Sequence, residues 1–111
     1  AHLYVQTSRH ESQGMSLLEA MACGRPAIGT PVGVLPQVSP CPPSAEPEAL
    51  AAAAADLLSD PGRYTALAAE ARRRVEAEFS LAAAAAGLEA LWGALAQGAP
   101  RPARLYNQRQ P

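Results

Sequence analysis

The sequence predicts an α/β chain in which two short parallel strands are joined through a helix and followed by alanine-rich helices. Three observations carry that reading. Residues 3–8 and 26–30 are short, apolar or β-branched segments; residues 14–23 between them space their apolar side chains as a helix does; and alanine, 26 of 111 residues, gathers into runs at 51–55 and 82–86.

The first strand, Leu3 to Ser8, ends in polar residues, as a buried strand does at a sheet edge. In residues 14–23, Met15, Leu18 and Ala22 fall at i, i+3 and i+7, and Gly24 stops the helix. The second strand, 26–30, opens with Pro26, a position where proline is tolerated. Strand, helix and strand in fewer than thirty residues make one βαβ unit with a right-handed crossover. Five prolines between Pro36 and Pro47 predict a loop without helix or strand. A helix then runs from Pro47 to Leu58 with Leu50, Ala54, Leu57 and Leu58 on one side. Asp60 as N-cap and Pro61 at the first helical position start the next, with a stripe of Tyr64, Leu67, Ala68, Ala71, Val75 and Phe79. Ser80 caps the last, whose Leu81, Ala84, Leu88, Leu91, Trp92 and Leu95 form a core stripe before Gly98. Residues 98–111 are expected to be a disordered tail.

Composition narrows the function classes. Net charge is −1, and it divides as zero over residues 1–38, −4 over 46–89 and +3 in the tail. No segment has a clustered basic face, so nucleic acid is not an expected partner. No run approaches the ~18 consecutive apolar residues of a membrane span, which excludes an integral membrane protein. Cys23 and Cys41 match neither a disulfide framework nor a zinc pattern, and a reducing, cytoplasmic setting follows. Cys23 is expected to be a small buried residue, and Arg72 to Arg74 a solvated face offset by Glu70, Glu76 and Glu78. The chain opens on Ala1 in a strand pattern with no signal peptide, as an internal piece of a larger protein would.

Chemistry concentrates between Ser8 and Pro26. Gly14 lies between a strand's carboxyl end and a helix's amino end, the edge at which open α/β sheets bind ligands. A helix start offers free N–H groups and a partial positive charge to a phosphate. Glu19 is five residues on, about 7.5 Å along the axis, roughly the step from a pyrophosphate to its ribose. Glu11 precedes the helix and faces the phosphate's far side. His10, beside it, is a candidate base, but a solvated loop histidine is the better reading.

The pattern Glu-x-x-Gly-x-x-x-x-Glu-Ala-Met-Ala-x-Gly-x-Pro, from Glu11 to Pro26, resembles the signature of retaining GT-B glycosyltransferases of the group 1 (family 4) type. Thr30-Pro-Val-Gly33, Glu46-Pro-Glu-Ala-Leu50, Leu57-Leu-Ser-Asp-Pro61, Ala71-Arg-Arg-Arg74 and Glu78-Phe-Ser80 are similar to that family's carboxyl-terminal domain, in the same order. Three departures stand out: Gln13 replaces an aromatic residue, Gly33-Val34 a glycine pair with Gln37 for a later glutamate, and Ser39 to Ser44 a short strand.

The resemblance implies a partial Rossmann-like, nucleotide-sugar-binding domain over residues 1–97. It implies transfer of a sugar from a UDP- or GDP-sugar to a sugar, lipid or small-molecule acceptor, with retention of configuration, by a hexosyltransferase of which this chain is one part. Alone, the chain is expected to be inactive. Glu11 would act at the donor sugar, Glu19 would hold the ribose, Gly14, Met15 and Ser16 the diphosphate, and Gly33 would border the sugar pocket. Neither metal nor other cofactor is expected. Any peripheral membrane contact would belong to an upstream domain. The competing readings are a degenerate, non-catalytic nucleotide-binding module and a helical interaction domain.

Overall fold

A computed structural model describes residues 1–98. Its elements run β1 (Tyr4–Gln6), α1 (Met15–Ala22), β2 (Ala27–Gly29), α2 (Leu35–Val38), α3 (Pro47–Ser59), α4 (Pro61–Glu78) and α5 (Leu81–Ala96). β1 and β2 pair in parallel, with Tyr4 opposite Ala27 and Gln6 opposite Gly29. The expected βαβ unit is therefore present, with strands trimmed to three residues each. The expected tail, beyond Gly98, lies outside the described residues.

The chain divides into two units at Ser80 and Leu81. In the first, successive residues of β2 serve opposite faces of the sheet, as a pleated strand requires. Ala27 joins Leu17, Leu18, Met21, Leu35, Val38, Ala71 and Val75 on one side. Ile28 joins Cys41 and Leu57 on the other, with Leu3, Tyr64 and Leu67 packed around them. One helix, α4, closes both clusters: Tyr64 and Leu67 near its start meet the second, Ala71 and Val75 the first.

Turn chemistry fixes the helix ends. Gly24, at φ +66°, donates to Met21 O at 2.9 Å while Arg25 N donates to Ala20 O at 3.0 Å, a Schellman end for α1. Asp60 caps α4 by accepting from Arg63 N at 2.9 Å, as expected. Gly29 is required by backbone approach, because a Cβ there would lie 2.2 Å from Gln6 O.

Several expectations need correction. The buried face of α1 is Leu17, Leu18 and Met21, while Met15 is 57% exposed. Leu18 keeps its expected place, but it is Leu17 and Met21 rather than Met15 that pack with Ala27, Ala71 and Val75. The proline-dense segment still forms a one-turn helix, α2, because Pro36 sits in the first turn, where no intrahelical N–H is needed. Leu58 is exposed although Leu50 and Leu57 are buried. Cys23, placed in the C-cap of α1, is exposed. Arg74 is not merely solvated, since it pairs with Glu70 at 3.1 Å and donates to Val38 O at 3.1 Å, tying α4 to α2.

The Ser39–Ser44 segment, which stands where the resemblance leads one to expect a strand, lies along β2 without becoming one. The Ser39 hydroxyl donates to Ala27 O at 2.7 Å, and Ser44 N donates to Gly29 O at 3.0 Å. Those carbonyls turn away from β1, so the segment satisfies the outer side of β2 with one side chain and one amide.

The second unit, taken by itself, contains α5, whose end at Ala96 is followed by a turn in which Gly98 N donates to Leu95 O at 3.1 Å. Its leucines and Trp92 do not form a core stripe: no residue of α5 is buried, and Trp92 is 64% exposed. Half of its residues are Ala, and that leaves little to drive burial. The exclusion of membrane spans also needs amending. The stretch Pro61–Ala96 includes a window long and apolar enough to cross a membrane by length and composition. The helix breaks at Phe79 and Ser80, and the 16 residues of α5 rise about 24 Å against a hydrocarbon core of ~30 Å.

Candidate functional site

The site is the carboxyl edge of the two-stranded sheet, where β1 ends at Gln6 and a loop of residues 7–13 leads to α1. Gly14 takes φ +94°, a conformation that L side chains rarely adopt, and it turns the chain into the helix. The first intrahelical bonds run from Leu17 N and Leu18 N to Gly14 O, at 3.1 and 3.3 Å. The amides of Gly14, Met15 and Ser16 therefore precede the hydrogen-bonded helix, and no described residue accepts from them. Such an end attracts anions.

Two loops meet beside it. Val34 N donates to Gln13 O at 2.9 Å, which fastens the loop before α1 to the loop after β2. Gly33, at φ +60°, lies so close that a Cβ would sit 2.7 Å from Gln13 O and 2.9 Å from the Glu11 Cβ. Glu11 and Gly33 are thus brought together, next to the Gly14–Ser16 amides. The Glu11 carboxylate accepts from the Ser8 hydroxyl at 2.7 Å and is solvent-exposed, as is His10. Thr30, just after β2, donates from Oγ1 to Ser8 O at 2.6 Å and anchors the loop's start.

Glu19 is exposed on α1 and lies four residues beyond Met15, on the same face. Cα–Cβ bonds on a helix tilt toward its amino end, so the Glu19 side chain leaves α1 on the side of the Gly14 turn. Ser16 is exposed, and its hydroxyl shares a 2.7 Å hydrogen bond with Tyr4 OH. Its contribution to an anion thus falls to its backbone amide. Among the described residues, no three His, Cys, Asp or Glu side chains converge on a common point.

Sequence reasoning missed Gln6. It is 3% exposed, and neither Oε1 nor Nε2 has a hydrogen-bond partner among the described residues. Leaving one buried polar atom unpaired costs ~1–3 kcal/mol. A Cβ at Gly14 would lie 3.2 Å from Gln6 Oε1, so the carboxamide lies directly against the turn that starts α1. The signal was available in β1, where Gln6 alternates with Val5 and is polar at an inward-facing position.

Known proteins resemble this chain in sequence and fold. The fold of sucrose-phosphate synthase from Thermosynechococcus elongatus matches over 89% of this chain, with a TM-score of 0.71 and 35% identity. N-acetyl-alpha-D-glucosaminyl L-malate synthase from Bacillus anthracis is 58% identical over 36 residues, 32% of this chain. The chain spans 26% of the length of the former and the matched stretch 9% of the latter. Residues 1–60, which hold β1, α1, β2 and both glutamates, match the family described as Glycosyl transferases group 1, and the chain belongs to that family.

Proposed function

We propose that this chain is the donor-binding part of an enzyme that transfers a sugar from a UDP- or GDP-sugar to a sugar, lipid or small-molecule acceptor, with retention of anomeric configuration. One observation carries the reading: the open amides of Gly14, Met15 and Ser16 lie beside the junction of Glu11 with Gly33, and Glu19 stands one turn along α1. That arrangement suits a nucleotide sugar. The diphosphate takes the helix-start amides, Glu19 accepts from the ribose hydroxyls, and Glu11 faces the sugar near Gly33. Residues 1–97 are the unit proposed for this role. The leaving-group charge falls to the amides and the helix dipole, together with basic side chains from elsewhere in the enzyme, and a metal is not needed. The setting is the cytoplasm. The two named relatives, both synthases, are consistent with such chemistry. The acceptor site is proposed to lie elsewhere in the enzyme, and the chain by itself is proposed to be inactive.

The test uses the complete protein. Calorimetric titration with UDP and GDP identifies the base, and Glu19→Gln weakens that binding. Charge-assisted hydrogen bonds are worth ~1.5–3 kcal/mol, so the loss is about tenfold to a hundredfold. Glu11→Gln lowers turnover more than nucleoside diphosphate affinity. NMR of the product's anomeric proton reports retention, and activity persists in a chelator. Undiminished binding by Glu19→Gln would refute the ribose role.

A further inference from the structure

Gln6 lies where a phosphate-binding turn meets the core, and nothing in the free chain explains its amide. Its side chain is 3% exposed, with Oε1 and Nε2 both sealed from solvent and unpartnered among the described residues. It is aimed at the start of α1: the position that a Cβ of Gly14 would take is 3.2 Å from Oε1 and 3.9 Å from Nε2. Buried amides are nearly always paired, so one with both ends open beneath a row of open N–H groups is incomplete. A carboxamide exchanges its oxygen and nitrogen by a half-turn of its last torsion, so either end faces the turn at little cost.

We infer that Gln6 is the innermost donor of the anion site, giving an Nε2 hydrogen to a phosphate oxygen held by the Gly14, Met15 and Ser16 amides, across the side-chain-free face of Gly14. The inference rests on the donor-binding role proposed above and adds a residue to it. Gly14 is the pivot. Its φ of +94° is unstrained for glycine, and a small movement of this turn uncovers the amide beneath it. A side chain at residue 14 would stand between Gln6 and the ligand. Ligand entry thus completes a hydrogen-bonding group that is open in the free protein, and affinity is gained where fold stability was given up.

The experiment compares wild type with Gln6→Leu in the complete protein. Inorganic pyrophosphate, UDP and GDP are titrated alongside uridine and guanosine, and the urea midpoint is measured without ligand. Gln6→Leu should weaken pyrophosphate, and whichever nucleoside diphosphate wild type binds, about tenfold to a hundredfold, the value of one hydrogen bond to an ionised group. The free nucleoside should bind as before, and the ligand-free midpoint should hold or rise because the open amide is gone. If Gln6→Leu does not fold, Gln6→Met supplies the same comparison. Unchanged pyrophosphate affinity overturns the inference, as does an equal loss for nucleoside and diphosphate. Failure of both variants to fold overturns it too, since Gln6 would then have a structural partner. A wild type that binds neither UDP nor GDP refutes the donor-binding role itself, whereas intact wild-type binding with unaffected variants removes only Gln6 from it.

Discussion

Gly33→Ala separates two costs that usually arrive together, a disfavoured backbone conformation and a blocked loop contact. Gly33 holds φ +60°, and an alanine Cβ there would meet Gln13 O at 2.7 Å and the Glu11 Cβ at 2.9 Å. Gly24 holds nearly the same φ, +66°, but its nearest obstacle is Ala68 O at 4.0 Å. Left-handed backbone costs a non-glycine residue ~1–2 kcal/mol, so Gly24→Ala should lose that amount and no more. Gly33→Ala carries the same strain and must also push the loop of residues 11–13 away. That breaks the Val34 N to Gln13 O bond, worth a further ~0.5–1.5 kcal/mol, for a total of about 1.5–3.5 kcal/mol. Urea denaturation of the two variants in the complete protein measures the difference. Titration with the nucleoside diphosphate that wild type binds should show several-fold weakening for Gly33→Ala and none for Gly24→Ala, because Gly24 lies at the far end of α1. Equal midpoint losses with equal binding would refute the coupling between the two loops.

Ser39→Ala removes the donor to Ala27 O and leaves that buried carbonyl open, so urea denaturation should show a loss of ~1–3 kcal/mol. Arg74→Ala should cost more than Arg72→Ala in the same assay. Arg74 bridges α4 to the carbonyls of α2, whereas Arg72 makes only an exposed pair with Glu76, of a kind worth ~0–1 kcal/mol. With a chromogenic disulfide reagent, Cys23 should react at once and Cys41 only on unfolding, which Cys23→Ser and Cys41→Ser assign. Burial pushes the Cys41 thiol above its usual value, with Arg63 opposing. The unfolded thiol then loses its proton first, so the stability that Cys41 contributes is intact below a pH of about 9 and falls as pH rises above it toward the raised value of the folded thiol, a dependence absent in Cys41→Ser.

Much of this arrangement is written locally. The βαβ unit follows from two apolar segments flanking a glycine-bounded helix, and Asp60 with Pro61 specifies the start of α4 unaided. The glutamates and Gly14 stand out through the resemblance of the Glu11–Pro26 segment to a glycosyltransferase signature, since one glycine and two acids at that spacing say little by themselves. What escaped depends on three dimensions. Periodicity offered Met15 and Leu18 as one face, but the strand edge decides which side of α1 is buried, and Leu17 and Met21 take it. Helical spacing puts Trp92 on a stripe with Leu88, Leu91 and Leu95, yet burial also needs a neighbour of matching shape, which no repeat within α5 encodes. Gln6 was read only as a strand residue, since its lack of a partner is a property of its surroundings. Pro36 was taken to forbid helix, although in a single turn the missing N–H has nothing to bond.

The segment along β2 has a consequence for how copies of this chain treat one another. An open strand edge is a template for another strand, and proteins that leave one bare risk joining edge to edge. Here Pro40, Pro42 and Pro43 lie over that edge, and proline has no N–H to offer an incoming strand. A third strand would have extended the sheet and moved the hazard outward by one position. The proline-dense segment instead ends it: two hydrogen bonds fasten it to β2, and its prolines offer no N–H to a further strand, so this border of the sheet resists aggregation without another strand to guard it.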